Sequence, residues 1–319
     1  MSTPRIHDRA QAGFANSTAY DSHRPAYSDT ITQVLLEQLD VEGKQGAVIV
    51  DLAAGTGKFT EALAKREEGF RIIAVEPHQD MRKVLEGKQL KGVSVVDGVA
   101  DSMSSLEDES VDALTIAQVG LQCWYRANCS QSFHWFANMD SLKEFHRVLQ
   151  PHGRLGLVWN VEDWNAPKNH KASTAWEKVA HELNFAIAEE SGDDQPRFRH
   201  QEWRKVFDEQ IKVTPLTILK ASDDQLFSLP IGEHVEPFEV ALPVEDAWKR
   251  FRTLGQISVI EGERLEVCRS TFMDAINGED VEKNENGDVI IHGNSYAYWT
   301  SKIPAEGRDG VFSVEHSKE

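Results

Sequence analysis

The spacing of apolar residues changes along the chain. In "SDTITQVLLEQLD", Ile31, Val34, Leu35 and Leu39 recur at helical spacing. "AVIVDLA" is a short unbroken apolar run, suited to a strand buried on both faces. "GKFTEALAKREE" reads as a helix, "RIIAVEP" as a second strand, "QDMRKVLEG" as a helix and "VSVVDG" as a third strand. "SVDALTIAQ" gives a fourth strand, and "MDSLKEFHRVLQPHGRLGLVWN" a helix, a Pro-Gly turn and a fifth strand. Strands alternating with helices imply an α/β fold, a parallel sheet with helices on both faces.

After Asn160 the rhythm changes. "STAWEKVAHELNFAIAEE" and "HQEWRKVFDEQ" read as helical, "IKVTPLTI" as a strand, and "PVEDAWKRFRTLGQISVI" as one helix with Pro in its first turn. "DVIIHGNSYAYWTSKI" alternates and predicts a long late strand. The chain therefore divides into a polar segment at 1–27, an α/β core at 28–160, late strands with a helical cap at 161–303, and a loose tail at 304–319. No internal repeat is visible.

The chain has 319 residues, 40% of them apolar, so it can bury a real core. Acidic residues outnumber basic ones by 52 to 34, a net charge of −18. That field repels a phosphate backbone or an anionic membrane surface, and no dense Lys/Arg run opposes it, so neither nucleic acid nor membrane is an expected partner. There is no spanning apolar run and no secretory leader pattern. Cys123, Cys129 and Cys268 give neither a disulfide framework nor a paired zinc spacing, so no metal is expected and a reducing cytoplasm is the natural setting.

The chemistry concentrates in "VIVDLAAGTGKFTEAL", residues 48–63: strand, glycine turn, helix. A phosphate-binding P-loop would need Gly at Leu52 and Ser or Thr at Phe59, and has neither. A dinucleotide fingerprint is met by Gly55 and Gly57 but has Thr60 in its third place. The third reading is an S-adenosylmethionine loop, [DE]-x-G-x-G-x-G, written here with Asp51, Ala53, Gly55 and Gly57. Small residues let backbone approach the cofactor closely. In this reading Asp51 faces the ammonium end, and Glu76, closing "IIAVE", accepts both ribose hydroxyls.

Further stretches favour the third reading. "FANSTAYDSHRPAY", "DGVADSMSSLEDESVDALTIAQ", "SFHWF" and "RVLQPHGRLGLVWN" follow the loop motif's family in order. The chain resembles the class I S-adenosylmethionine-dependent methyltransferases, most closely the small-molecule branch that includes fungal and bacterial trans-aconitate methyltransferase-like proteins. That resemblance implies a doubly wound, mostly parallel seven-stranded sheet with a helical cap among the late strands. It implies that residues 1–27 fold over the cofactor, with Tyr20 and Arg24 at its methionine end and Arg24 pairing the carboxylate. It places Ala100 and Asp101 beside the adenine and Gln118 at the methyl donor. His134 and Trp135, just past the fourth strand, would meet the acceptor, His134 steering a carboxylate or removing a proton. Relatives often read "R-T-W-S" in the cap helix. Here Leu254 and Gly255 replace Trp and Ser, which changes the pocket, and Arg252 stays as an anion partner for the substrate.

The expected function is methyl transfer to a small molecule, at oxygen of a carboxylate or hydroxyl. Methylation at carbon or nitrogen of a specialised metabolite, a cofactor-pocket protein without turnover, and a NAD-dependent oxidoreductase stand as alternatives. The sequence leaves the oligomeric state open. Thirteen residues, "VGLQCWYRANCSQ" at 119–131, separate Gln118 from Ser132 where relatives run almost directly on. They read either as a substrate-specific flap or as a retained intron.

Overall fold

The computed structural model describes residues 26–117, 137–192, 197–210, 225–279 and 281–304. Seven strands form one sheet among them: β1 (Val48–Leu52), β2 (Arg71–Val75), β3 (Val93–Val96), β4 (Val111–Ala117), β5 (Leu149–Glu162), β6 (Gly232–Leu242) and β7 (Val289–Ser301). Their spatial order is β3-β2-β1-β4-β5-β7-β6. The first five strands pair in parallel, and β7 is antiparallel to both β5 and β6. The connection direction reverses between β1 and β4, which opens a crevice at the carboxyl ends of these strands. This is the doubly wound, mostly parallel seven-stranded sheet expected from the sequence.

Alternation along β5 explains the two layers. Leu155, Leu157, Trp159 and Val161 enter one core with Leu142, Phe145 and Val148 of helix α4 (Met139–Val148). Val158 enters the opposite core with Ile31 and Leu35 of α1 (Asp29–Gln38) and Phe59 and Leu63 of α2 (Lys58–Ala64). Helix α3 (Gln79–Gly87) covers β2 and β3 through Leu85. Ser28 caps α1 and Asn138 caps α4, each side chain accepting from a backbone N–H of the first turn.

The late region makes a third core. Helices α5 (Ala175–Ser191), α6 (Val244–Arg252), α7 (Gly255–Ser258) and α8 (Gly262–Ile276) pack around Trp164, Phe251 and Phe272 and onto Val289 and Ile291 of β7. Three details differ from the sequence reading. The single helix expected at 243–260 breaks after Arg252, where the Thr253 hydroxyl donates to the Arg250 carbonyl. The helix expected around 200–210 is a chain of short turns at Phe198–His200, Glu202–Arg204 and Lys205–Asp208, with Gln201 at φ 58° between the first two. Strand β6 and helix α8 had no counterpart in the sequence reading. Pro237 sits inside β6, and an edge strand is where a sheet tolerates it. The strand expected at 211–218 and the tail beyond Pro304 lie outside the described residues.

Candidate functional site

The site is built where β1 hands over to α2. The turn rests on left-handed backbone at Ala53 (φ 56°), Gly55 (φ 59°) and Gly57 (φ 90°). Gly57 has a second reason to be glycine: a Cβ there would lie 2.2 Å from Cδ1 of Leu85. The Ala54 N–H donates to the Val75 carbonyl at 3.2 Å and Gly57 N–H to the Ala54 carbonyl at 2.9 Å, so the turn is held against the end of β2.

Glu76 follows β2 and is completely buried. Its Oε2 accepts the Gly55 N–H at 2.9 Å and its Oε1 the His78 N–H at 2.8 Å. Burial pushes its carboxyl up to about 7, against the pull of those two backbone bonds. Glu76 and the glycine turn, linked by expectation alone in the sequence, are in direct contact. Asp51 is also completely buried and pushed up to about 7 by desolvation. Its carboxylate accepts the Thr60 hydroxyl at 2.6 Å and the Thr115 hydroxyl at 3.3 Å. Both oxygens are thus turned to hydroxyls of α2 and β4, so Asp51 ties three elements together behind the turn.

Two further residues shape this edge without a sequence signal. Arg82 on α3 donates from one nitrogen to the Glu76 carbonyl at 2.7 Å and to Asp97 at 3.0 Å, clamping the ends of β2 and β3. His78 caps α3, its ring nitrogen accepting the Met81 N–H. Beyond Asp97 the chain turns sharply between Val99 and Ser102, with Ala100 buried and Asp101 exposed. A Cβ on Gly98 would lie 2.8 Å from the Val75 side chain, so this turn packs closely on β2.

On the other side of the crevice, Asn160 near the end of β5 donates to the Ala26 carbonyl at 3.3 Å and accepts the Ser295 hydroxyl at 2.7 Å. Tyr27 packs edge-on against Phe59 with ring centroids 5.0 Å apart. These contacts fix the chain at residues 26–27 beside the carboxyl end of β5 and the first turn of α2. Tyr20, Arg24, Gln118, His134, Trp135 and the segment 119–131 lie outside the described residues. Arg252 ends α6. Its guanidinium donates to the carbonyls of Ile257 and Ile260, the latter at 3.2 Å, and closes the turn after α7. Gly255 leaves space for the buried guanidinium of Arg197, 3.0 Å from where a Cβ would sit. Among the described residues no cluster of His, Cys, Asp and Glu could hold a metal, and no helix is long and apolar enough to cross a membrane.

A family profile described as a methyltransferase domain matches residues 50–157, from β1 into β5. An "Uncharacterized methyltransferase" of Schizosaccharomyces pombe is 37% identical over 159 residues, 50% of this chain and 56% of that protein. An "Uncharacterized methyltransferase" of Mycobacterium tuberculosis is 35% identical over 145 residues, 46% of this chain and 50% of that protein. The chain thus spans about half the length of these relatives. The YcgJ protein of Bacillus subtilis, a crystal structure, superposes with a TM-score of 0.48 at 17% identity, covering 86% of this chain and 99% of that one. The matched stretch holds the glycine turn, Asp51 and Glu76, and it is this part of the chain, residues 50–157, that is similar to a methyltransferase domain.

Proposed function

We propose that the chain transfers a methyl group from S-adenosylmethionine to a small-molecule acceptor, at oxygen of a carboxylate or hydroxyl. The observation that carries this reading is Glu76. Two backbone N–H groups fix its carboxylate at the end of β2, hard against the glycine turn. Each oxygen keeps acceptor capacity beyond the bond it already makes, so together they suit a pair of neighbouring hydroxyls such as those of a ribose. Gly55 and Gly57 leave the turn without side chains, which suits close approach of the cofactor's amino-acid part.

When bound, the cofactor supplies a methyl group on a positively charged sulfur, a leaving group already activated. The protein's own work is to orient, to exclude water and to place the acceptor. Ala100 and Asp101, on the turn after β3, would border the adenine, and Gln118 the methyl donor. Residues 26–27 are anchored beside the turn and the end of β5. That anchoring supports a lid role for residues 1–27, with Tyr20 and Arg24 covering the methionine end. His134 and Trp135 would meet the acceptor, and the cap over it is the helical layer at 161–303. A carboxylate acceptor needs no base; a phenol or enol would draw on His134. In this reading Arg252 shapes the cap through its bonds to Ile257 and Ile260. A small acceptor in the cytoplasm suits a chain of net charge −18 better than nucleic acid or an anionic membrane does.

The test is calorimetric titration of S-adenosylhomocysteine into the wild-type chain and Glu76→Ala. The variant should stay folded and lose about 1.5–3 kcal/mol of binding, the range for hydrogen bonds to a charged group. Unchanged affinity in a folded variant would overturn the assignment. Tritiated-methyl transfer into a metabolite extract, with mass identification of the product, then reads the acceptor atom. A methyl group on carbon or nitrogen would replace the oxygen reading. Tight cofactor binding without transfer to a broad panel of acids and phenols would replace it with a pocket protein.

A further inference from the structure

The segment between β5 and α5 is fixed at several points. Asp163, directly after β5, accepts the Ser173 N–H at 2.5 Å and meets Nε2 of His170 at 2.9 Å. His181 of α5 donates from Nε2 to the Ala166 carbonyl at 3.2 Å. Lys168 reaches Glu189, near the far end of α5, at 3.2 Å. The segment therefore doubles back along the helix, and an open groove of about 770 Å³ lies between the two. That is within the range of ligand sites, roughly 300–1,000 Å³. Its helical wall is Ala175, Lys178, Glu182, Phe185, Ala186 and Glu189, one face of α5 over about 20 Å. At the far end a second depression of about 450 Å³ shares Lys168, Phe185 and Glu189 with the groove and adds Arg199 and His200.

The charge of this surface runs against the chain. Acids outnumber bases by 52 to 34 overall. Here Lys168, Lys171, Lys178 and Arg199 face only Glu182 and Glu189. Glu182 meets Lys178 at 3.7 Å and Glu189 meets Lys168 at 3.2 Å, and all four side chains are largely exposed. Exposed pairs of this kind contribute about 0–1 kcal/mol, so an incoming anion can share both lysines. The cations lie towards the two ends. Lys178 is near the start of α5 with Lys171 on the facing segment, and Lys168 and Arg199 are at its far end. Arg199 is a built part of that end. It is 5% exposed, and its guanidinium lies 4.4 Å over the Phe185 ring, which His181 meets with centroids 4.8 Å apart. The stack holds a permanent cation in one place. Ala172, Phe185 and Ala186 supply apolar surface along the way.

We propose that this groove is a binding site for an elongated organic dianion, two acid groups, carboxylate or phosphoryl, separated by an apolar stretch. Lys171 and Lys178 take one acid group, and Lys168 and Arg199 take the other in charge-assisted hydrogen bonds. The apolar stretch lies along Phe185 and Ala186. A short diacid reaches one pair of cations only. A long diamine meets four like charges and is repelled. None of the lining residues belongs to β1–β4 or to α1–α4, so the site is apart from the glycine turn.

The experiment is calorimetric titration of the full chain with two long dianions, sebacate and the bisphosphate of decanediol. Succinate and decanediamine are the controls. At least one long dianion should bind saturably at one site, succinate roughly tenfold more weakly, and the diamine not at all. Lys171 and Lys178 are exposed, so the double variant Lys171→Glu, Lys178→Glu should fold and lose roughly tenfold or more in affinity. Ala186→Trp fills the groove from an exposed position without changing its charge and should abolish binding. Lys143→Glu, an exposed change on α4, should leave the affinity within about twofold. Failure of both long dianions to bind the wild type overturns the site. So do equal binding of the diamine, succinate binding as tight as the long dianions, or wild-type affinity in the double variant or in Ala186→Trp. Displacement of the dianion by S-adenosylhomocysteine would place it in the crevice at β1 and β4 and overturn the groove. Every other arm needs neither cofactor nor turnover, so failure of the methyl-transfer reading leaves them standing.

Discussion

At the glycine turn, Asp51 and Glu76 are wholly buried, and their donors are hydroxyls and backbone N–H groups. At the base of the helical layer, Glu162 is buried almost as deeply, but its partner is the guanidinium of Arg250. The first arrangement leaves a carboxyl that can gain or lose a proton near neutrality and still has acceptor capacity to offer. The second commits the carboxylate to a guanidinium partner. The difference separates a site from a strut: uncommitted acids suit ligand binding, and a closed ion pair suits holding two elements in register.

The largest effect should come from breaking the strut. Arg250→Met leaves Glu162 buried without its cation and should cost about 3–5 kcal/mol of folding stability in denaturant unfolding. Pairing it with Glu162→Leu should return most of that loss, because two apolar side chains bury without a charge penalty. A single variant costing less than about 1 kcal/mol would show that Glu162 escapes to solvent or takes up a proton, and the contrast with the turn would collapse.

Next in size is Gly57→Ala. The substitution places a Cβ in left-handed backbone, at about 1–2 kcal/mol, and against the buried Leu85, at about 1–3 kcal/mol. A total of roughly 2–5 kcal/mol is expected from thermal melts, with cofactor affinity falling as the turn shifts. Leu85→Ala in the same chain should relieve the overlap alone. The two changes together should then cost less than the sum of each, and strict additivity would show that the overlap does not exist in solution.

These two regions were not equally legible. β1, β4 and β5 announce themselves as apolar runs because both faces of a central strand are buried, and the Asp51, Gly55, Gly57 and Glu76 pattern lies within twenty-six residues of sequence. The bonds that make Glu76 a fixed acceptor come from backbone N–H groups, which leave no residue signature, and Arg82 and His78 also act on backbone groups. In the late region the partners are far apart: Glu177 and His292 are separated by 115 positions. Helix α8 buries only Cys268, Phe272 and Ile276, a stripe too narrow to read against its acidic surface. The bonds from Arg252 to the carbonyls at 257 and 260 likewise have backbone partners and leave no residue signature.

The third prediction uses the proton on Glu76. Hydroxyl donors prefer the carboxylate, so cofactor binding must displace a proton when the free carboxyl titrates near 7. Affinity for S-adenosylhomocysteine should therefore rise roughly tenfold from pH 6 to pH 8, about 1.4 kcal/mol. Calorimetry in buffers of different ionisation enthalpy should detect proton release below pH 7. Stability should run the other way. A carboxyl held above its unfolded value keeps an extra proton in the folded state, so the contribution of Asp51 and Glu76 is full below the ordinary carboxylate range and is lost as pH rises through about 7. Glu76→Gln should flatten the affinity slope and leave the Asp51 part of the stability slope. Parallel slopes for affinity and stability in the wild type would refute this assignment of the proton.

The smallest effect is expected at Ala53, where the methyltransferase loop ordinarily has its first glycine. Ala53 is left-handed like Gly57, at φ 56°, and is buried. Its Cβ nevertheless finds room, so what remains is backbone strain without overlap. Ala53→Gly removes about 1–2 kcal/mol of strain. It returns about 0.4–1 kcal/mol of unfolded-chain entropy and loses about 0.8 kcal/mol of methyl burial. These nearly cancel, so stability should change by less than about 1 kcal/mol in either direction. Ala53→Val adds a β-branched side chain to the same left-handed backbone and should cost more than about 2 kcal/mol. The two substitutions, compared by thermal melts, separate strain from space. A large loss in Ala53→Gly would mean that the alanine methyl is a packing anchor of the turn. A silent Ala53→Val would mean that the backbone at 53 is not left-handed, and that the turn differs from the one that places Gly55 against Glu76.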